Sequence, residues 1–305
     1  MKSDIATFLN GLAMGAANVI PGVSGGTIAL ITGIYERLIN SIKRCDPKAM
    51  KMVFTGQIKN AWEYVDGRFL LALMAGVAIS IVSLARLFEY LLEHQERLTM
   101  AFFFGLILLS IVYVAKRITA WTATVWFALL IGSAVAIGIA FLAPANENNS
   151  FFYVFLCGVA AISSMILPGL SGSFVLIIMG NYALVLGAIN TFDLGVIIPL
   201  ALGCGFGLIA FSHILSWVFQ HYANHTLAVM TGFVIGSLVV IWPWKDTLTE
   251  QVIRDGKPPK EVVTGYSWQM PSMANSETWI AIALMVLGAV SIVLMERFAG
   301  KSEKP

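Results

Sequence analysis

Charge is what this chain lacks most. Of its 305 residues only 12% are Asp, Glu, Lys or Arg, while 58% are hydrophobic; a soluble domain is about one-quarter charged. That composition excludes a water-soluble globule and describes an integral membrane protein. The 19 Lys and Arg nearly cancel the 17 Asp and Glu, leaving a net charge of +2, so nothing electrostatic points to a nucleic-acid partner. Cysteine is scarce too. Cys45, Cys157 and Cys204 are widely spaced and match no metal-ligand or redox pattern; no metal or cofactor is expected, and all three read as small residues in packed segments. Residues 5–20 have the apolar length of a signal peptide, but Asp4 and Asn10 spoil the pattern. The same segment has an internal counterpart at 152–167, which cannot be a signal, so it is expected to be retained.

What is present is a repeated helix breaker. Pro21-Gly22-Val23-Ser24-Gly25, continued by Gly26-Thr27, recurs as Pro168-Gly169-Leu170-Ser171-Gly172, continued by Ser173-Phe174. Proline removes a backbone donor and clashes within a helix, and glycine tolerates unusual dihedrals at an entropic cost. Broken backbone at membrane depth survives only when buried in protein or lining a wet cavity. The copies belong to a longer repeat. A shift of 147 positions aligns Gly11 with Gly158, Pro21 with Pro168, Gly33 with Gly180 and Tyr35 with Tyr182. A shift of 127 aligns His94 with His221, Thr99 with Thr226, Gly105 with Gly232 and Ser110 with Ser237. Order is kept, and the change of shift requires a longer connection in the first half. Long-period self-similarity of this kind reads as duplication.

A spanning helix needs roughly 20 mostly apolar residues, and six segments qualify: 69–88, 98–115, 121–142, 194–219, 226–244 and 278–296. The motif regions 5–42 and 151–190 differ, each having two apolar arms of 16–18 residues around the break. Arms this short either span marginally or dip in and return, and charge favours the second. With returning hairpins, Lys2, Arg37, the run Lys43 to Arg68, Lys116, Arg117 and the tail Arg297, Lys301 and Lys304 share one face, which then carries thirteen of the nineteen Lys and Arg. By the positive-inside rule that face is cytoplasmic. The expected fold is an all-α integral membrane protein of two repeats, 1–150 and 151–305, each a re-entrant helical hairpin plus three transmembrane helices. Three is odd, so the repeats are inverted, both termini are cytoplasmic and the hairpin tips meet near the midplane. That is an architecture of alternating-access transporters. The polar loop 245–277 covers the outer face, and Trp121, Trp126, Trp242, Trp244 and Trp279 read as interfacial anchors. Gly203 with Gly207, and Gly232 with Gly236, suit close helix contact.

A glycine-rich turn opening a helix presents free N–H groups and the positive end of a helix dipole, which favours an anion, phosphate above all. Ser24, Thr27, Ser171 and Ser173 add hydroxyls. Small residues that merely permit tight packing are the plainer alternative, but Pro-Gly beside Ser-Gly in both halves goes beyond packing. The candidate substrate-binding set is Asn18, Pro21, Gly22, Ser24, Gly25, Gly26, Thr27, Pro168, Gly169, Ser171, Gly172 and Ser173, with Arg86 and His213. The last two align in the repeat. Arg86 either forks onto a phosphate or snorkels; His213 either meets the ligand or makes an interhelical hydrogen bond. Asn18 either binds ligand or satisfies the broken backbone. Glu36-Arg37 reads as a surface ion pair, and His94 and His221 as interfacial.

The segment Gly15 to Thr27 (Gly-Ala-Ala-Asn-Val-Ile-Pro-Gly-Val-Ser-Gly-Gly-Thr), followed by Thr32 to Leu38, resembles the PopT-like polyprenyl-phosphate (undecaprenyl-phosphate) transporters, a bacterial membrane family long described only as a domain of unknown function. The resemblance extends through Ser164 to Ser173 and covers essentially the whole chain. It implies a multi-pass protein of the bacterial inner membrane that flips undecaprenyl phosphate back to the cytoplasmic leaflet, for reuse in peptidoglycan and other envelope polymers. Its partners are then the polyprenyl-phosphate lipid and membrane lipids, and the chain is compatible with a homo-oligomer. The motif is also related to that of undecaprenyl-pyrophosphate phosphatases, which continue Pro-Gly-x-Ser with Arg-Ser and carry paired glutamates nearby. Here Gly25-Gly26 and Gly172-Ser173 follow instead, no Glu lies between Asp4 and Glu36 or between Glu147 and Glu250, and hydrolysis lacks an acid or base beside the motif. An ion-coupled transporter of a small anion would use the same nest.

Overall fold

The computed structural model describes residues 2–19, 24–142, 144–254 and 257–299; within these, the side chains of 2–3, 19, 85–86, 89, 247–254, 257–266 and 294–299 stand outside the description. The first half is α1 (Lys2–Val19), α2 (Gly25–Ile31), α3 (Tyr35–Lys43), α4 (Pro47–Phe54), α5 (Ile58–Tyr64), α6 (Gly67–His94), α7 (Glu96–Ala115) and α8 (Ala123–Ala140). The second is α9 (Phe151–Ile166), α10 (Gly172–Ile178), α11 (Tyr182–Thr191), α12 (Leu194–Val240), an antiparallel hairpin of β1 (Lys245–Arg254) and β2 (Lys257–Trp268), and α13 (Ser276–Ala299). The fold is that of an all-α membrane protein. Among the described residues, α6, α7, α8, α12 and α13 are long and apolar enough to cross a bilayer, and the pair α10 and α11, bent by 111°, has the length and composition of either a broken sixth span or a re-entrant loop.

Local chemistry explains the breaks. Leu167 precedes Pro168, a position biased against the helical region, and it is extended at φ −71°, ψ 129°, so α9 stops at Ile166. The sequence reading treats the second arm of each hairpin as one helix. Instead each arm breaks again, at Gly33 (φ +82°) and Gly180 (φ +72°), dihedrals that glycine adopts freely. The segments 194–219 and 226–244, expected as two spans, are two helical stretches of α12 that meet at a kink with no loop between them, where only Tyr222 (φ −136°, ψ 46°) leaves the helical region. Its repeat counterpart Gln95, at φ −141°, ψ 41°, separates α6 from α7. A single residue in this conformation re-aims a helix without a loop. The expected outer loop 245–277 contains the β hairpin.

Close helix contacts recur with the repeat. A Cβ on Gly11 would strike the Leu73 carbonyl and one on Gly76 the Phe8 carbonyl; one on Gly158 would strike Leu200 and one on Gly203 Phe155. The α1–α6 and α9–α12 seams therefore use matching positions. The remaining helices cross over reciprocally. Gly105 of α7 abuts Met285 of α13 and Gly288 abuts Phe102, while Gly232 of α12 abuts Leu129 of α8 and Gly132 abuts Val229. Small residues let backbones approach in lipid, where dispersion replaces the hydrophobic effect as the attraction. Gly207 against Val159 and Gly236 against Ala136 complete the expected small-residue pairs. Trp121, Trp126 and Trp279 are exposed, whereas Trp244 is buried against Ala101 and Ala281 and is not an interfacial anchor. Its indole fills the gap that two alanines leave.

Candidate functional site

The two motifs touch. Ser24 caps α2 from an extended conformation, its Oγ accepting from the Gly26 N–H at 3.1 Å. The same hydroxyl donates across to the Met165 and Leu167 carbonyls, 3.2 Å each. Tyr35, 1% exposed, donates its phenol to the Ile166 carbonyl at 3.0 Å, and the Gly169 N–H donates to Thr27 Oγ1 at 3.0 Å. Helix ends leave carbonyls without intrahelical donors, and here those of α9 are met by side chains of the first half. On the other side of α2, Asn18 Oδ1 accepts from the Gly25 N–H at 2.8 Å. Asn18 thus satisfies the broken backbone, one of its two sequence readings.

The second motif is built differently at matching positions. Ser171 precedes α10 in the same extended conformation but makes no side-chain cap bond to it. Its hydroxyl pairs instead with that of Ser173, 2.8 Å away. The first motif thus spends its hydroxyl and the Gly25 and Gly26 N–H groups on structure, while the second keeps two hydroxyls at an accessible surface. Between them lies a cavity of about 130 Å³ lined by Asn18, Ser24, Met165, Leu170, Ser171, Gly172 and Ser173. Its walls are hydroxyls, an amide, backbone and apolar side chains, with no charged group among the described lining residues. It can accept several waters or a compact group with hydrogen-bond acceptors.

The structure therefore brings Asn18, Ser24, Ser171, Gly172 and Ser173 together. Gly25, Gly26, Thr27, Pro168 and Gly169 are buried behind them: a Cβ on Gly26 would strike the Ile166 carbonyl, and one on Gly169 the Phe233 backbone. Met165 and Leu170 line the cavity without having been singled out, because an apolar residue in an apolar run carries no signal. Pro21, Gly22 and the side chain of Arg86 lie outside the described residues. His213 stands apart, exposed, with Nδ1 against the Ile209 carbonyl of its own helix at 2.9 Å. His94 and His221 bond alike to the carbonyls four residues back and stack on Tyr90 and Trp217. Arg37 pairs with Asp66 at 2.6 Å, so the surface pair is not with Glu36; Glu36 borders a small cavity with Asn40, Ser216 and Gln220.

The hairpin bends are pinned from outside. Arg117 Nη2 donates to the Ile31 carbonyl at 2.9 Å, and the Ala145 N–H to the matching Ile178 carbonyl at 2.7 Å. The side chain of Asn181 brackets Asn148, accepting from its N–H at 2.9 Å and donating to its carbonyl at 2.8 Å. A larger polar cavity, about 260 Å³, lies at the Gln95 kink. Burial pushes the Lys245 ammonium there down to about 8. Three carboxylates, Glu96, Asp246 and Glu277, face Lys245, Arg97 and His94 in it, and Arg97 is paired with Glu277 at 3.1 Å. That balance disfavours an anion.

Residues 14–258 match the model of a family described as VCA0040-like, undecaprenyl phosphate translocase-like. The chain is 40% identical over 300 residues to a polyprenyl-phosphate transporter of Vibrio cholerae serotype O1 (strain ATCC 39315 / El Tor Inaba N16961), covering 97% of each. It is 34% identical over 253 residues to a polyprenyl-phosphate transporter of Staphylococcus aureus (strain NCTC 8325 / PS 47), covering 77% of this chain and 85% of the relative. No solved structure matches the chain.

Proposed function

We propose, for a chain that belongs to the undecaprenyl phosphate translocase-like family, that it flips undecaprenyl phosphate across the bacterial inner membrane for reuse in peptidoglycan synthesis, with both termini cytoplasmic. The phosphate headgroup passes through the cavity between the two motifs while the prenyl tail stays in the bilayer. The observation that carries this reading is the contact itself: two helix breakers 147 residues apart close on one polar cavity, held by bonds that a phosphate can replace. Ser24 now donates to two carbonyls. A phosphate oxygen is the stronger acceptor, since hydrogen bonds to charged groups contribute about 1.5–3 kcal/mol against about 0.5–1.5 for neutral ones. Turning the hydroxyl to the headgroup releases the end of α9, so binding loosens the contact that separates the two faces.

Two inverted repeats, each with a re-entrant hairpin, make such a site reachable from both sides. The matching glycine seams, the reciprocal crossing of α7 with α13 and of α12 with α8, and the paired kinks at Gln95 and Tyr222 support that arrangement. Ser171 and Ser173 receive the headgroup first because their hydroxyls are open. Among the described residues the walls offer donors but no carboxylate or imidazole to activate water, which favours passage over hydrolysis. The test is purified protein in liposomes supplied with the monophosphate or the pyrophosphate lipid. The reading expects protein-dependent movement of the monophosphate between leaflets and no inorganic phosphate from the pyrophosphate. Steady phosphate release would establish an enzyme, and movement of a soluble anion without lipid would establish a small-anion carrier.

A further inference from the structure

The pair α4 and α5 has no counterpart in the second half, and the transport reading makes no use of it. It is nonetheless a built unit. Asp46 caps α4 through the Ala49 N–H at 2.9 Å and accepts from the Tyr64 hydroxyl of α5 at 3.0 Å. The Lys48 ammonium sits 4.8 Å from the centre of the Tyr64 ring, and Arg44 donates to the Tyr64 carbonyl at 3.4 Å. Within this unit only Ala49 and Ala61 are buried.

What it leaves outside is apolar. Met50, Val53 and Phe54, at helical positions i, i+3 and i+4, are 58%, 51% and 83% exposed; Ile58 and Trp62, one turn apart on α5, are 66% and 45% exposed. Lys48 and Lys51 flank the α4 stripe, and Lys59 neighbours the α5 stripe. From Lys43 to Arg68 six basic residues face three acidic ones. Of those three, Asp46 is engaged in capping and Asp66 in its pair with Arg37. A second observation fixes the level. A Cβ on Gly67 would strike the Trp62 ring, so the indole lies on the first residue of α6, where a membrane-crossing helix begins.

An apolar stripe edged by lysines, held at the mouth of a span, matches a bilayer rim with anionic headgroups. We infer that α4 and α5 form an anchor bound to anionic phospholipid in the leaflet that α6 enters, the apolar stripe bedded among acyl chains and the flanking lysines on headgroup phosphates. The inference rests on the membrane fold alone and survives failure of the transport reading.

The test uses the full chain with Cys45, Cys157 and Cys204 replaced by Ser and Gln57→Cys carrying an environment-sensitive fluorophore. It is placed in nanodiscs of phosphatidylcholine, with or without phosphatidylglycerol. The expected result is a blue shift and quenching by lipid-borne nitroxide that grow with phosphatidylglycerol and fade with salt. The combined change Lys48→Gln, Lys51→Gln and Lys59→Gln should abolish that dependence, and the same three positions changed to Arg should keep it, with both proteins eluting as single folded species. A label that stays in water in both discs overturns the anchor, as does phosphatidylglycerol dependence that survives the Gln changes. Shielding that appears only on adding soluble protein assigns the surface to a protein partner instead.

Discussion

Ser24 and Ser171 occupy matching positions in matching pentapeptides, yet they do different work. Ser24 is 2% exposed and joins three backbone partners, whereas the Ser171 hydroxyl touches that of Ser173 at an accessible wall. Ser24→Ala removes an N-cap, at about 0.5–2 kcal/mol, and takes the side-chain donor from the Met165 carbonyl near the end of α9. It should lower the unfolding midpoint of the purified protein as well as translocation. Ser171→Ala removes no structural bond to backbone, so its melting should match the parent. Its affinity for the lipid phosphate should fall by about 1.5–3 kcal/mol, the range for a hydrogen bond to a charged group, which is roughly tenfold to a hundredfold. Thermal unfolding and lipid-binding titrations on the two variants separate the roles; equal loss of melting temperature in both would contradict the asymmetry. Sequence could not distinguish the two serines, because the difference arises from what lies opposite each of them.

At the scale of elements, the turn at Gly169 sets how close the motifs come. Gly169 has φ +79°, and a Cβ there would meet the Phe233 backbone of α12. Gly169→Ala therefore combines left-handed strain with a clash against the α12 backbone at Phe233 and Val234, and it should leave little folded protein in detergent by size-exclusion profile. Leu170→Ala only widens the cavity wall and should fold normally. The long helices were legible in advance because some 20 apolar residues in a row leave few alternatives, and boundaries such as Glu96–Ala115 fall within two residues of expectation. The second break in each hairpin was not. Gly33 and Gly180 are single glycines in apolar runs, and such a glycine also reads as a packing contact. The two arms of α12 were legible, but the tightness of their junction was not: the polar run His221 to His225 looks like a loop, yet only Tyr222 leaves helical dihedrals.

At the scale of the whole molecule, the halves are linked by exchange rather than by simple apposition. Each half's last helix packs on the other half's penultimate one, and α9 ends on side chains from the first half. In the proposed transport cycle, opening one face therefore redistributes contacts in both halves. The proposed inversion of the two halves predicts sidedness: in a protein lacking native cysteines, a membrane-impermeant thiol reagent added outside should modify Asn149→Cys and Met270→Cys but spare Lys51→Cys until the membrane is permeabilised. Asn149→Cys reacting only from the cytoplasm would remove the inversion. The pairing of the two motif copies was readable from sequence as far as their meeting; which donors they spend on each other was not. The claim on which the rest depends is that the headgroup travels between the two motifs, and a reversible lock tests it most directly. Ser24→Cys with Leu167→Cys puts one thiol on each side of the contact, at residues brought together where the Ser24 hydroxyl reaches the Leu167 backbone carbonyl at 3.2 Å. In liposomes, oxidation to the disulfide should stop movement of undecaprenyl phosphate between leaflets, and reduction should restore it to the rate before oxidation. Undiminished translocation by the fully crosslinked protein would show that the lipid takes another route.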